Sequence, residues 1–139
     1  MNDVVFLCDD LIFVSKVSGA AKARNIALRS TKSPRDLLIF CEQSPPRCVI
    51  IDLHAPDLNI EQAAQGLTKL QPRPTLVGFG SHVDTATLKR ARDAGLDVVW
   101  PRSKFVEELE SSLPRWAQSP ESAHETAVSG LPDPDRRGG

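Results

Sequence analysis

Two short apolar segments that end in aspartate determine how this chain is expected to fold: VVFLCDD at residues 4–10 and CVIID at residues 48–52. Continuous apolar runs of this length are typical of strands buried on both faces of a parallel sheet. Charge directly after such a strand is tolerated where the strand reaches the surface. If the two strands are parallel neighbours, Asp9, Asp10 and Asp52 meet at one rim of the sheet. That rim is where we look for function.

The length and composition limit the classes of protein that fit. The 139 residues are enough for one domain, and a formal net charge of −1 with scattered Lys and Arg residues gives no basic patch for nucleic acid. No apolar stretch is long enough to span a membrane, and no basic region precedes the first apolar run, so neither membrane anchoring nor secretion is expected. We interpret Cys8, Cys41 and Cys48 as reduced core residues of a cytoplasmic protein.

Strand-like and helix-like segments alternate along the chain. The predicted strands cover about residues 4–8, 27–30, 48–52, 75–79 and 98–100, and the predicted helices about residues 12–24, 34–43, 59–70, 83–94 and 105–116. Ser33 followed by Pro34 predicts the start of the second helix, and Gly95 predicts the end of the fourth. The alternation predicts an α/β fold, a flavodoxin-like (βα)5 three-layer sandwich with a parallel sheet of order 2-1-3-4-5.

The composition changes near residue 117. Residues 117–139 are rich in Ser, Pro, Gly and charge, with only isolated apolar residues. A segment of this kind cannot bury a core of its own. We therefore expect one domain at residues 1–116 and a disordered C-terminal tail at 117–139, with a linker or a docking peptide as the alternative for the tail.

The acidic residues and two downstream segments form a pattern. Asp9-Asp10 follows the first predicted strand, Asp52 follows the third within DLHAP at residues 52–56, and AGLD at residues 94–97 leads into the fifth. In this order the chain resembles the receiver domain of two-component response regulators, the CheY-like superfamily, as an atypical or degenerate member. In an open α/β sheet of this order, ligands bind between the first and third strands, where the strand order reverses.

The resemblance implies a role for each acidic residue. Asp52 would accept a phosphoryl group from a histidine kinase, and Asp9, Asp10 and Asp52 would hold Mg²⁺. This chemistry needs a carboxylate oxygen to attack phosphorus and a hard cation to neutralise the charge on the transferred group. It also implies a signalling module, not an enzyme with an external substrate. Its partner would be a histidine kinase or another signalling protein, engaged on the face from the fourth strand to the fifth helix.

Several positions depart from the receiver pattern. Phe79 stands where receivers carry Thr or Ser, with Ser81 as a possible substitute. Arg102 occupies the lysine position and is the second candidate catalytic residue, with Lys104 as an alternative cation, while Val99 replaces the usual aromatic residue. These departures leave open a degenerate pseudo-receiver that acts as a constitutive protein-interaction domain.

Each singled-out residue also has an interpretation that involves no phosphoryl chemistry. The three aspartates fit strand-end caps without metal, Phe79 fits core packing, and Arg102 fits an ion pair with Asp52. The Asp-x-His at residues 52–54 resembles a cobalamin-binding signature, but it follows the wrong strand, and Asp57 stands where that signature has glycine. No Gly-rich phosphate loop, nucleophile elbow or readable Cys-His pair supports hydrolase or transferase activity.

Overall fold

Five strands and five helices alternate from Val4 to Trp116 in the computed structural model, which describes residues 3–118. The strands are β1 Val4–Leu7, β2 Leu28–Thr31, β3 Cys48–Asp52, β4 Thr75–Gly80 and β5 Val98–Pro101. The helices are α1 Leu11–Ala23, α2 Pro34–Gln43, α3 Ile60–Thr68, α4 Thr85–Asp93 and α5 Arg102–Trp116. Predicted residues 119–139 of the tail lie outside the described residues.

The strands form one parallel sheet in the order β2-β1-β3-β4-β5. Leu7, the last residue of β1, lies opposite Thr31 of β2 and Ile51 of β3. Asp52, the last residue of β3, lies opposite Phe79 of β4. The predicted fold class and strand order are therefore confirmed, and the segments after β1 and β3 leave the sheet side by side at its carboxyl rim.

Two apolar clusters cover the two faces of the sheet. Because side chains alternate along a strand, neighbouring residues such as Phe6 and Leu7 enter different clusters. Helices α2, α3 and α4 pack on one face, and helices α1 and α5 pack on the other. Three layers result, as the sequence predicts.

Side-chain caps mark the starts of four helices. The carboxylates of Asp10 and Asp84 cap α1 and α4, and Ser33 and Asn59 cap α2 and α3. Each side-chain oxygen accepts a backbone N–H that has no partner within its helix. The predicted start at Ser33-Pro34 is confirmed, with Ser33 Oγ 3.1 Å from the Asp36 nitrogen.

Helix α5 begins earlier than predicted, at Arg102 instead of Phe105. Pro101 ends β5 with φ −60° and ψ 152°, and the helix follows at once without a side-chain cap. The sequence carries no cap signal at this junction, because the strand passes directly into the helix. Arg102 consequently sits on the first turn of α5, where the helix backbone fixes its position.

Two smaller expectations can be compared with the described residues. Cys8, Cys41 and Cys48 are all buried and free, which confirms their interpretation as core thiols. Within residues 3–118, no helix combines the length and the apolar character needed to cross a membrane.

Candidate functional site at the carboxyl rim

Asp52 is a buried carboxylate at the end of the central strand. Its Oδ1 accepts the backbone N–H of His54 at 2.9 Å. Its Oδ2 lies 3.6 Å from the Sγ of Cys8 and 3.8 Å from Nη2 of Arg102. A buried carboxylate needs such donors or a cation, because burial penalises its charge.

Arg102 supplies the cation that faces Asp52. Its side chain is 43% exposed, and 3.8 Å is an ion-pair distance longer than a good hydrogen bond. The guanidinium carbon also lies 5.3 Å from the ring centre of Phe13 and 5.6 Å from that of Phe79. The proximity of Arg102 and Asp52 that the sequence suggested is confirmed, and the aromatic faces help to hold the guanidinium above the core.

The other two predicted metal ligands are directed elsewhere. The Oδ1 of Asp10 caps α1 by accepting the backbone N–H groups of Ile12 and Phe13, at 3.0 and 3.3 Å. Asp9 lines a cavity of about 600 Å³ between the starts of α2 and α3, with Lys32 and Asp57 among its neighbours.

The structure therefore does not bring Asp9, Asp10 and Asp52 together as a metal-binding group. Among residues 3–118, no three side chains of His, Cys, Asp or Glu are grouped so that they could hold a metal ion. One oxygen of Asp10 accepts backbone N–H groups at the start of α1, and Asp9 lines the cavity beside α2 and α3. Mg²⁺ binding by Asp9, Asp10 and Asp52 therefore stays a prediction.

No protein-family model matches the sequence, and no curated protein matches it. Solved structures do match. The receiver domain of NtrX from Brucella abortus has a TM-score of 0.71 at 17% identity, covering 83% of this chain and 98% of that one. A BeF3-activated DrrB receiver domain has a TM-score of 0.69 at 16% identity, covering 84% and 97%. The chemotaxis response regulator CheY4 of Vibrio cholerae has a TM-score of 0.70 at 13% identity, covering 83% and 98%. This chain has the receiver-domain fold.

Phe79 occupies the position at which the receiver pattern led us to expect a hydroxyl. Its ring is fully buried, with the ring centre of Phe105 at 4.6 Å and that of Phe13 at 4.9 Å. The interpretation of Phe79 as a packing residue is therefore confirmed. Aromatic stacking of this kind fills space beside Asp52 with carbon instead of a hydrogen-bond donor.

The two candidate substitutes make their contacts with groups other than Asp52. The hydroxyl oxygen of Ser81 accepts the backbone N–H of Val83 at 3.3 Å, within its own loop. The ammonium of Lys104 lies 5.4 Å from the ring centre of Trp100. Arg102 is consequently the cation closest to the carboxylate of Asp52 among the described ion pairs.

Sequence reasoning placed the Leu53 or His54 carbonyl near Asp52 as a possible further ligand. It missed the contacts of the Cys8 thiol and of the His54 ring. Burial raises the pKa of the Cys8 thiol to about 11, and the negative charges of Asp52 and Asp10 add to the rise, so the thiol stays protonated and donates to Asp52. His54 contacts Asp52 through its backbone and the loop after β4 through its ring. The only signals were the position of Cys8 directly before the acidic pair and that of His54 two residues after Asp52.

Proposed function

We propose that this chain is a receiver-like signalling module in which Asp52 accepts a phosphoryl group and the altered rim is recognised by a protein partner. The partner is a histidine kinase or another signalling protein. The observation that carries the proposal is the setting of Asp52. One oxygen of this buried carboxylate is held by a backbone N–H, and the other faces a partly exposed guanidinium.

The transfer step uses the Asp52 carboxylate as nucleophile and the Arg102 guanidinium as counter-charge, and the Mg²⁺ predicted at this rim would neutralise the remaining charge of the transferred group. An oxygen of Asp52 attacks the phosphorus of a phosphohistidine or a small acyl phosphate, and the bond from phosphorus to the donor breaks. The leaving group, an imidazole nitrogen or a carboxylate oxygen, takes the electron pair of that bond, and Asp52 becomes an acyl phosphate. Transfer to Oδ2 puts the new negative charge on the side of Arg102, which pairs with phosphoryl oxygens through charge-assisted hydrogen bonds.

Exposed apolar side chains near the same rim support recognition by a protein. In the described part of the chain, the large hydrophobic residues with high exposure are Leu11 at 67%, Ile12 at 84% and Val83 at 75%. Leu11 and Ile12 begin the helix after β1, and Val83 lies in the loop after β4. Exposed apolar side chains on segments that leave the same rim offer contacts for a protein partner.

A small-molecule phosphodonor with Mg²⁺, followed by intact-mass measurement, tests the assignment of Asp52. Wild-type protein should gain the mass of one phosphoryl group, and Asp52→Asn should gain none. Asp57→Asn is the matched control, because Asp57 is an exposed carboxylate in the loop after the same strand, with a φ of 65° that asparagine tolerates. Unlabelled wild-type protein, or equal labelling of Asp52→Asn, would contradict the proposal.

A second candidate is a constitutive protein-interaction domain. It is favoured by Phe79, which leaves no hydroxyl beside Asp52, and by Arg102, whose ion pair can hold the rim in one state. In that case Asp52→Asn leaves partner binding unchanged, whereas Ile12→Ser weakens it. A strong loss of binding in Asp52→Asn would exclude this candidate.

A further inference from the structure

A continuous series of hydrogen bonds runs from Asp52 to the start of α4. The backbone N–H of His54 donates to Asp52 Oδ1 at 2.9 Å. The ring Nε2 of His54 accepts the backbone N–H of Ser81, also at 2.9 Å. The carbonyl of Ser81 in turn accepts the N–H of Asp84 at 3.1 Å, and the Asp84 side chain caps α4.

His54 thus contacts both Asp52 and the loop before α4. Its backbone contacts the Asp52 carboxylate, and its side chain contacts a loop 27 residues further along the chain. That loop, residues 81–84, carries the exposed Val83. A displacement of the His54 backbone therefore moves the acceptor of the Ser81 N–H and releases the loop.

Gly80 provides independent evidence that the local structure is built around this ring. A Cβ at position 80 would lie 3.0 Å from Nε2 of His54 and 3.4 Å from its Cδ2. The first distance is tighter than ordinary van der Waals contact, so a Cβ at position 80 would require the imidazole to shift by a few tenths of an ångström. The glycine allows the close approach that the hydrogen bond requires.

We propose that His54 is a positioning residue that couples the carboxylate of Asp52 to the loop at residues 81–84. Phosphorylation at Oδ2 turns Oδ1 into an uncharged carbonyl oxygen, and substitution of Asp52 removes it; either change weakens the anchor of the His54 backbone and frees the Ser81 N–H. The use of this coupling in signalling rests on the proposed function. The coupling itself is a property of the unmodified protein.

Amide hydrogen exchange followed by NMR tests the contact with Ser81. In His54→Ala the Ser81 amide loses its acceptor, so its exchange should be roughly fivefold faster or more, as expected for the loss of one net hydrogen bond. His54→Gln carries an acceptor oxygen near the position of Nε2 and should restore most of the protection. His82→Ala is the matched control, because His82 is an exposed histidine in the same region, and it should leave Ser81 protected.

A double-mutant cycle tests the coupling to Asp52. Asp52→Ala should accelerate exchange of the Ser81 amide in the wild-type background and add nothing in the His54→Ala background. Equal acceleration in both backgrounds would show that the coupling bypasses His54. No acceleration in Asp52→Ala, or no restoration by His54→Gln, would also overturn the proposal.

The two proposals fail separately. The cycle uses no phosphodonor, so an unlabelled wild-type protein contradicts the phosphoryl function and leaves the result of the cycle intact. If the wild-type protein is labelled but the effects of Asp52→Ala and His54→Ala on Ser81 exchange are additive, the coupling is contradicted and the phosphoryl function is not.

Discussion

At the residue scale, the rim is defined by what surrounds a single carboxylate. Asp52 has a backbone donor on one oxygen and a thiol and a guanidinium on the other, while the place of a hydroxyl is filled by Phe79. The charge of Asp52 is therefore balanced chiefly by Arg102. Substitutions at Phe79 and at Arg102 are expected to have different effects. Phe79 is a core residue, and Arg102 is the proposed counter-charge for the phosphoryl group.

Replacing Phe79 by Thr tests the first of these roles. The substitution removes a ring stacked at 4.6 Å on Phe105 and leaves a cavity and a buried hydroxyl, so we expect a loss of about 3 kcal/mol or more in the free energy of unfolding. Phe79→Leu keeps apolar volume and should cost roughly 1–2 kcal/mol. Urea denaturation measures both, and equal stability of Phe79→Thr and wild type would contradict the packing role.

Arg102→Gln tests the second role. The variant keeps a polar side chain and removes the charge, so labelling of Asp52 by a phosphodonor should slow by about tenfold, a smaller effect than loss of a fully enclosed donor because the guanidinium is partly exposed. Arg115→Gln, a substitution at the far end of α5, controls for the change of charge. A labelling rate that is the same in Arg102→Gln and wild type would show that Arg102 takes no part in phosphoryl transfer.

At the element scale, strands and helices place different demands on small residues. Gly78 lies in β4 between Ile51 and Val99, and a Cβ there would lie 2.7 Å from Cδ2 of Leu96 and 3.1 Å from that of Leu53. Gly19 lies within α1, exposed, and a Cβ there would contact nothing within 4 Å. Substitution by alanine is therefore expected to have opposite effects on stability at the two positions.

Gly78→Ala should destabilise the protein by about 1–3 kcal/mol, because Leu96 and Leu53 must shift to admit the methyl group. Gly19→Ala should stabilise it by about 0.5–1 kcal/mol, because alanine restricts the unfolded chain and favours the helix. Thermal or urea unfolding measures both changes. Loss of stability in Gly19→Ala would contradict the described open space around α1.

A bidentate ion pair links α3 to α4. Nε and Nη2 of Arg90 lie 3.1 and 2.8 Å from the two carboxylate oxygens of Glu61. The hydrogen bonds from Arg90 are the main cause that lowers the pKa of Glu61 to about 2. Because the folded-state pKa is below the unfolded value, the stabilisation is present above pH 4.5 and is lost as the pH falls towards 2.

Glu61→Gln measures this contribution. The urea midpoint of wild type should exceed that of the variant at neutral pH, and the difference should shrink as the pH falls from 4.5 towards 2. Salt should reduce the difference at neutral pH, since both side chains are exposed. A difference that is constant across this pH range would contradict an ionic contribution.

At the scale of the whole molecule, the fold could be predicted because its signals are repeated along the chain. Continuous apolar strands and intervening amphipathic helices specify a parallel sheet at several places at once, so small errors at single boundaries, such as the start of α5, leave the topology unchanged. The position of Asp9, Asp10 and Asp52 at one rim follows from the same pattern.

The directions of the side chains could not be predicted in the same way. Whether Asp10 faces Asp52 or caps α1 depends on the geometry of one turn. In the structure, Asp10 caps α1. The contact of His54 with Ser81 joins two loops 27 residues apart and depends on how closely they approach at Gly80. No local pattern encodes such a contact, because neither residue type requires the other.

We propose that a phosphoryl group bound at Asp52 changes the rim of this receiver fold. The most direct measurement is the amide NMR spectrum with Mg²⁺ and beryllofluoride, a phosphoryl mimic, referenced to the spectrum with Mg²⁺ alone. We predict shifts of the amide resonances of His54, Ser81 and Arg102 in wild type and none in Asp52→Asn. An unchanged wild-type spectrum, or the same shifts in Asp52→Asn, would contradict the account.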